Sequence, residues 1–257
     1  MLGRLIPIAL VMLAAVTCGM TSKKVTDMDS APAPHHTDCC REASMQSDRP
    51  FAFPPDAKVD RHRSTGVVVS LKGKNLGLSV EKLDCFRDLM AGQHLAGAAL
   101  CFMEAFRSEF KLDHPTQELS PIGVHTDELK MTRVRLRQEY TGLNVWPCEI
   151  SIYISAQNRI YWVKGNTIPT PRGLDTGATL SASEAIGAVS RDMGIDIASC
   201  NEYPTELFIY AGQPQRPVLA YRVSAGSGLA DVWDFVVDAH TGKILKKFSR
   251  VRTRIGS

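Results

Sequence analysis

TRVRLRQEYTGLNVWPCEISIYISAQNRIYWVKGNTIPTP, residues 132–171, is the stretch that decides the fold. Apolar and charged side chains alternate along its first part, where Val134, Leu136 and Tyr140 are set against Arg133, Arg135, Arg137 and Glu139. A period of two predicts a strand with one buried and one solvated face. Turn residues at 141–142 and 157–158 separate it from two further apolar strands, which end near Ile154 and Lys164. Such short connections predict an antiparallel meander.

A helix precedes this meander. Its apolar residues recur at helical spacing and form one stripe: Leu95, Ala99, Phe102, Phe106 and Phe110. A helix with one apolar stripe needs a sheet to cover, so we expect the helix to pack on one face of the meander. Less regular patterns predict a strand over residues 66–71 and a short helix over residues 79–89.

A second unit repeats this logic after a Pro- and Gly-containing junction at residues 166–179. Ser181 and Glu184 form a predicted capping box, the helix that follows has an apolar face, and Gly194 supplies its stop. Four strands are predicted next, over residues 206–210, 218–223, 232–238 and 243–248. The predicted fold class is α+β, with two small units that are each a helix packed on an antiparallel β-sheet.

The first residues are typical of an export signal. Arg4 precedes an apolar run, residues 5–16, that is too short to span a bilayer. Residues 15–18, AVTC, partly resemble a bacterial lipobox, although Thr17 replaces the expected small residue. Two outcomes are open: lipidation of Cys18, or cleavage that removes it. Either way, residues 1–18 predict export to the periplasm, the cell envelope or the extracellular space.

Residues 19–65 are rich in Ser, Thr, Asp, Pro and Ala without periodicity, which predicts a flexible tether. A net charge of +3 gives no argument for nucleic acid as a partner. The chain has seven cysteines, and loss or lipidation of Cys18 leaves an even number, which is typical of disulfides in an oxidising compartment. Cys148 is in phase with the buried isoleucines of its strand, so we expect a core thiol there.

Several segments together carry a resemblance to a known family. They are an arginine-bearing strand at 133–136, a glycine turn at 140–142, the pair Val145–Trp146, and Gly165–Asn166 followed by Pro169–Thr170–Pro171. In this order they resemble the propeptide of thermolysin-like secreted zinc metalloproteases. Residues 180–185 and 238–245 are similar to the PepSY-type half of such propeptides. The resemblance implies a fungalysin/thermolysin propeptide-like domain at 66–171, a PepSY-like domain at 172–248 and an exposed tail at 249–257.

Catalytic chemistry is not indicated by the residues. A zinc protease of this class needs the pattern H-E-x-x-H, and the sequence contains none, so we expect neither an enzyme nor a cofactor site. His35, His36, Cys39 and Cys40 offer four metal-ligand side chains, but they lie in the tether without a packed shell to orient them. His240 is predicted to lie in a hairpin turn, and Asp231 and Asp234 are predicted to be solvated strand and turn residues.

Several basic and aromatic residues are candidates for contact with a partner. The arginines at 133, 135 and 137 predict a solvated face, with an acidic partner or nucleic acid as alternatives; nucleic acid is disfavoured because no aromatic residues are interleaved with them. If the resemblance holds, part of this face meets the protease. The proposed contact residues are Arg133, Arg135, Arg137, Trp146, Phe248, Arg250 and Arg252.

The resemblance implies a chain that assists folding of a thermolysin-like catalytic domain and then inhibits it. Residues 249–257 are expected to occupy the substrate cleft as an extended peptide. The chain is then either a severed precursor or a protein that acts in trans. The alternative is an envelope lipoprotein that binds another protein and contacts the membrane only through a lipid anchor.

Overall fold

The computed structural model describes residues 51–194, 197, 205–228 and 231–250. The export segment, Cys18, the His35–Cys40 cluster, Cys200 and Arg252 lie outside the described residues. All described residues belong to one compact unit, Pro32–Ser257.

The predicted α+β class is confirmed, because helices pack on a sheet whose strand pairs are almost all antiparallel. In chain order the elements are β1 (Lys58–Arg61), β2 (Val68–Lys72), a 3-10 turn (Val80–Lys82), α1 (Asp84–Ala91), α2 (Leu95–Ala105), α3 (Arg107–Phe110), α4 (Pro115–Glu118), β3 (Leu119–Thr126), β4 (Thr132–Tyr140), β5 (Leu143–Ile154), β6 (Ile160–Gly165), α5 (Ala182–Met193), β7 (Glu206–Tyr210), β8 (Val218–Gly228), β9 (Asp231–Asp238) and β10 (Ile244–Ser249).

The first sheet has the antiparallel order β1-β2-β6-β5-β4-β3. One face is covered by the helices and forms a core around Phe86, Phe102, Leu136 and Ile152. The buried residues of β4 and β5 keep the predicted period of two, which confirms the meander and leaves the arginines on the opposite face.

The start of the ordered region differs from the prediction. The tether was expected to extend to residue 65, but residues 58–61 form β1 and pair with β2. Phe53 also stacks on Phe106, with ring centroids 4.6 Å apart. The predicted end of the tether, residue 65, is therefore too far along the chain. No sequence signal marks the earlier start, because isolated aromatic residues and a four-residue edge strand have little periodicity to detect.

Two further differences lie around the long helix. The apolar stripe from Leu95 to Phe110 is split into α2 and α3 at Phe106. Strand β3 was not predicted; it pairs with β4 but exposes most of its side chains, so it lacks an apolar face. Both features depend on tertiary packing and not on local periodicity.

The second sheet has the order β7-β8-β9-β10, and α5 packs on one of its faces. The capping box is confirmed: the Glu184 backbone N–H donates to Ser181 Oγ at 3.3 Å, and the Ser181 N–H donates to Glu184 Oε2 at 2.7 Å. Gly194 ends the helix with a φ of 67°, which an L residue adopts only at a cost.

Strand β5 links the two sheets. Near its start, Val145 and Trp146 pair in parallel with Ile209 and Tyr210 of β7. Val145, Cys148, Ile168 and Ile209 form a small shared cluster beneath this junction. The two sheets are therefore continuous through β5, and we call this junction the seam.

The segment after β6 is clamped to the first sheet. Gln138, fully buried on β4, donates from Nε2 to the Ile168 carbonyl and accepts from the Ile168 N–H through Oε1, both at 2.9 Å. Thr170 Oγ1 donates to Glu118 Oε2 at 2.6 Å and accepts from the Asp113 N–H at 2.8 Å. The residues predicted as a junction are thus held in place as far as Thr170.

Candidate functional site

The face of the first sheet that carries no helix presents the arginines of β4. Arg133 is exposed, whereas Arg135 and Arg137 are half-buried. Arg135 forms an ion pair with Glu149 at 2.6 Å. Arg137 donates to Asn144 Oδ1 at 3.4 Å, and among the described residues no carboxylate lies within ion-pair distance of it. The three arginines therefore have unlike surroundings.

Aromatic side chains do share this face. Tyr153 lies opposite Arg133 across β5, and Trp162 lies opposite Tyr153 across β6. As the sequence indicated, no aromatic residue is interleaved with the arginines along β4, but the folded sheet places aromatic rings beside them. Neighbouring strands contribute the rings, and their register is not visible in one strand's sequence.

A pocket of about 490 Å³ lies at the seam. Its lining includes Arg137 and Glu149 from the first sheet, Trp146 from β5, and Glu206, Phe208 and Arg222 from the second sheet. Arg137 and Trp146, both proposed from the sequence, thus line one cavity.

A polar chain crosses the pocket between the sheets. Asn144 Nδ2 donates to Glu206 Oε1 at 2.8 Å, and Arg222 pairs with Glu206 Oε2 at 2.7 Å. Since Asn144 also accepts from Arg137, the hydrogen bonds run from Arg137 through Asn144 and Glu206 to Arg222. Arg137 is the end of this chain that lacks a carboxylate of its own, so it can bind an acidic group from a partner.

Aromatic rings form the other wall of the site. Trp146 stacks on Phe248 with centroids 5.6 Å apart and on Tyr210 at 5.8 Å. Phe208 meets Trp146 edge-on at 6.2 Å. Trp146, Tyr210 and Phe248 are only half-buried, so they form a rigid, partly exposed apolar surface. We call the seam pocket and these rings together the seam face.

The described part of the chain ends at Arg250, beside these rings. Arg250 lies two residues after Phe248. Its backbone N–H donates to the Val232 carbonyl at 2.7 Å, and its Nε lies 3.5 Å from Asp234 Oδ2. Asp234 is 6% exposed and also accepts from Ser224 Oγ at 2.5 Å. The expectation that Asp234 is solvated is therefore wrong, because the strand register turns it inward to a serine and an arginine.

The seam face brings together Arg137, Trp146 and Phe248, with Arg135 and Arg250 at its edges through Glu149 and Asp234. Arg133 lies farther along the first sheet, and Arg252 is outside the described residues. Sequence reasoning missed Phe208, Tyr210, Glu206 and Arg222. One clue was present, since residues 207–210 are apolar without alternation, which is typical of a strand covered on both faces.

The turn around His240 is a hairpin, as predicted. Asp238 Oδ1 accepts from the His240 and Thr241 N–H groups at 2.9 and 2.8 Å, and Gly242 has a φ of 72°. Burial acts to raise the pKa of Asp238, but the hydrogen bonds from Thr241 and His240 outweigh it, and the pKa lies below its usual value. His240 Nδ1 lies 3.0 Å from Thr179 Oγ1, a hydrogen bond that ties the turn to the segment before α5.

Cys148 is a free thiol in the core, as predicted, and burial raises its pKa to about 12. Cys101 is disulfide-bonded. Within the described ranges, no group of three or more His, Cys, Asp or Glu side chains is placed to hold a metal ion. In the same ranges, no helix has the length and apolar character needed to cross a membrane.

Comparison with known proteins supports the resemblance. Residues 117–167 match the Fungalysin/Thermolysin Propeptide Motif, a span that begins in α4 and ends two residues after β6. Thermolysins of Alicyclobacillus acidocaldarius subsp. acidocaldarius and of Bacillus caldolyticus are 28% identical over 160 residues, 58% of this chain and 29% of theirs. The chain thus spans 29% of the length of these relatives.

A solved structure is also similar. The Bacillus megaterium YpeB C-terminal domain has 12% identity and a TM-score of 0.33, over 86% of this chain and 99% of that one.

Proposed function

We propose that this protein is a propeptide-like intramolecular chaperone and inhibitor of a thermolysin-like metalloprotease. The observation that carries the proposal is the seam face, because it gathers an uncompensated arginine and three half-buried aromatic rings beside the end of the described chain. The propeptide motif at residues 117–167 includes Arg137 and Trp146 of this face. Clustered Trp, Tyr and Arg side chains are typical of the energetic centre of protein interfaces.

The chaperone role follows from the rigidity of this surface. Large secreted proteases fold slowly because many contacts join residues that are distant in sequence. A preformed sheet surface lets such contacts form against a fixed template. The seam face suits this purpose because hydrogen bonds between Arg137, Asn144, Glu206 and Arg222 fix its polar groups before the partner binds.

The inhibitory role is assigned to the residues that follow the seam face. The sequence placed the inhibitory segment at residues 249–257, but Ser249 pairs with Trp233 in β10 and Arg250 contacts Asp234. We therefore assign the role to residues 251–257, which follow the anchored Arg250 in the sequence. An extended segment can then enter a substrate cleft and pair through its backbone.

The domain assignment remains part of the proposal. Residues 66–171 would form the fungalysin/thermolysin propeptide-like domain, 172–248 the PepSY-like domain, and 1–18 the export signal. The two separate cores, one on each sheet, support this division. The chain would act outside the cytoplasm without catalysis of its own, either in cis before severance from a protease or in trans.

Inhibition of thermolysin and of the thermolysin-like proteases of the same organism tests the proposal. We expect the full chain to inhibit at least one of them competitively with a peptide substrate. A variant truncated after Arg250 should bind that protease but inhibit it weakly, since it keeps the Asp234 contact and loses only the cleft segment. Equal inhibition by the truncated and full chains would refute the assignment of residues 251–257.

Charge reversal tests the docking surface separately. Arg137→Glu should weaken inhibition at least tenfold, because it replaces a guanidinium that attracts an acidic group of the partner with a carboxylate that repels it. Arg159→Glu is the matched control, since Arg159 is exposed in the β5–β6 turn and its side chain has no ion pair among the described residues. If neither the chain nor its variants bind any protease of this class, the envelope protein-binding alternative is favoured instead.

A further inference from the structure

A row of basic and aromatic side chains crosses the whole first sheet on its helix-free face. Strand register places its members side by side, one from each of six strands, in the order Lys58, Lys72, Trp162, Tyr153, Arg133 and His125. Neighbouring strands lie about 4.8 Å apart, so the row is about 24 Å long. It contains no acidic residue, and we call it the cationic row.

The charges of this row are not neutralised by the protein. Lys58, Lys72, Arg133 and the adjacent Lys164 are all exposed. In the part of the chain that the structure describes, none of the four has a carboxylate within ion-pair distance. On the same face Arg135 is paired with Glu149, so part of this face is neutralised by the protein, whereas the cations of the row are not.

The lysines are held in place by the tryptophan between them. Lys72 Nζ lies 4.5 Å and Lys164 Nζ 5.5 Å from the centre of the Trp162 ring. Such contacts stabilise an ammonium group without cancelling its charge. The row therefore presents fixed positive charge, which loses less entropy on binding than free lysine side chains would.

The geometry favours an acidic partner over nucleic acid. Tyr153 stacks on Trp162 with centroids 4.7 Å apart, and Lys72 approaches from the strand on the other side. Because β2 and β5 flank β6, the ring is enclosed between Tyr153 and Lys72 and offers no free face to a base. Proteins that bind single-stranded nucleic acid use such a free face for stacking.

We propose that the cationic row is a docking site for an extended acidic protein segment. The row's length matches about seven residues of extended chain, and its charge is complementary to Asp and Glu side chains. This site is separate from the seam face and does not depend on the proposed protease partner.

Binding of a labelled oligoglutamate of about seven residues, measured by fluorescence anisotropy at low ionic strength, tests the proposal. We expect binding that weakens as salt is added, because exposed charges are screened. Lys72→Glu combined with Lys164→Glu should reduce the affinity at least tenfold. Lys82→Glu combined with Lys243→Glu makes the same change in net charge at exposed positions away from the row and should have little effect.

A second double variant, Lys58→Glu with Arg133→Glu, tests the same site if loss of the lysine contacts to Trp162 unfolds the first double variant. It should show the same reduction, because both residues lie in the row without ring contacts. Equal loss of affinity in the control variant would overturn the proposal, since net charge alone would then explain binding. Tighter binding of a thymidine oligonucleotide than of oligoglutamate would also overturn it and would indicate nucleic acid.

Discussion

Replacement of Gln138 tests how the segment after β6 is held. The Gln138 amide makes two hydrogen bonds at 2.9 Å to the backbone of Ile168, and both residues are buried. Gln138→Leu keeps the volume of the side chain but removes the amide that pairs with the Ile168 N–H and carbonyl. Each buried group left unpaired costs about 1–3 kcal/mol, so the two together cost about 2–6 kcal/mol.

Part of this cost is offset, because leucine gains about 1–2 kcal/mol from burial of apolar surface. The midpoints of these two ranges give an expected fall in the free energy of unfolding of about 2.5 kcal/mol, and their limits give about 0–5 kcal/mol. Urea denaturation followed by circular dichroism measures this fall. Gln157→Leu, at an exposed turn position, is the control and should change stability by less than about 0.5 kcal/mol.

A further variant separates hydrogen bonding from packing. Gln138→Glu can accept from the Ile168 N–H, but as a carboxylate it cannot donate to the carbonyl and must bury a charge. Burial should raise its folded-state pKa, so this variant should lose most stability at neutral pH and regain part of it as the pH falls and the acid protonates. A gain of stability in Gln138→Leu would refute the clamp, since the apolar gain of about 1–2 kcal/mol does not exceed the lowest cost of two unpaired groups, about 2 kcal/mol.

Three other predictions concern local structure. Ser181→Ala should lower the free energy of unfolding by about 1 kcal/mol through loss of the helix cap, while Ser183→Ala, exposed one residue into the same helix, should not; thermal denaturation checks both. The folded-state pKa of Asp238 is lowered, so its carboxylate stabilises the fold. The difference in free energy of unfolding between wild type and Asp238→Asn should therefore be largest above the unfolded-state pKa, near 3.9, and should be lost as the pH falls through the folded-state pKa. Cys148, whose pKa is raised to about 12, should resist a thiol reagent at pH near 8.5 until the protein unfolds, as peptide mapping by mass spectrometry would show.

Strong local patterns made much of the fold predictable. Strand β4 and helix α5 were identified because their signals, alternating polarity and a capping box, lie within a few residues of each other in the sequence. Strands β1 and β3 were missed because each is exposed along most of its length. The break between α2 and α3 at Phe106 has no sequence marker, since the apolar stripe continues through it.

The candidate site was predictable only in part. Trp146 and Phe248 were proposed separately, and the structure shows that their rings stack. Their neighbours Glu206 and Arg222 could not be assigned, because the bond from Asn144 to Glu206 joins residues 62 positions apart. The cationic row was hidden for the same reason, as it depends on the register of six strands.

Hydrogen exchange on a complex with a thermolysin-like catalytic domain tests the central claim most directly. The account predicts a one-to-one complex in which backbone amides of the seam strands β5, β7 and β10 become protected, with the strongest effect around Trp146 and Phe248. The helix-covered side, represented by α1 and α5, should exchange as in the free chain. No complex with any such domain, or protection confined to the helices, would contradict the account.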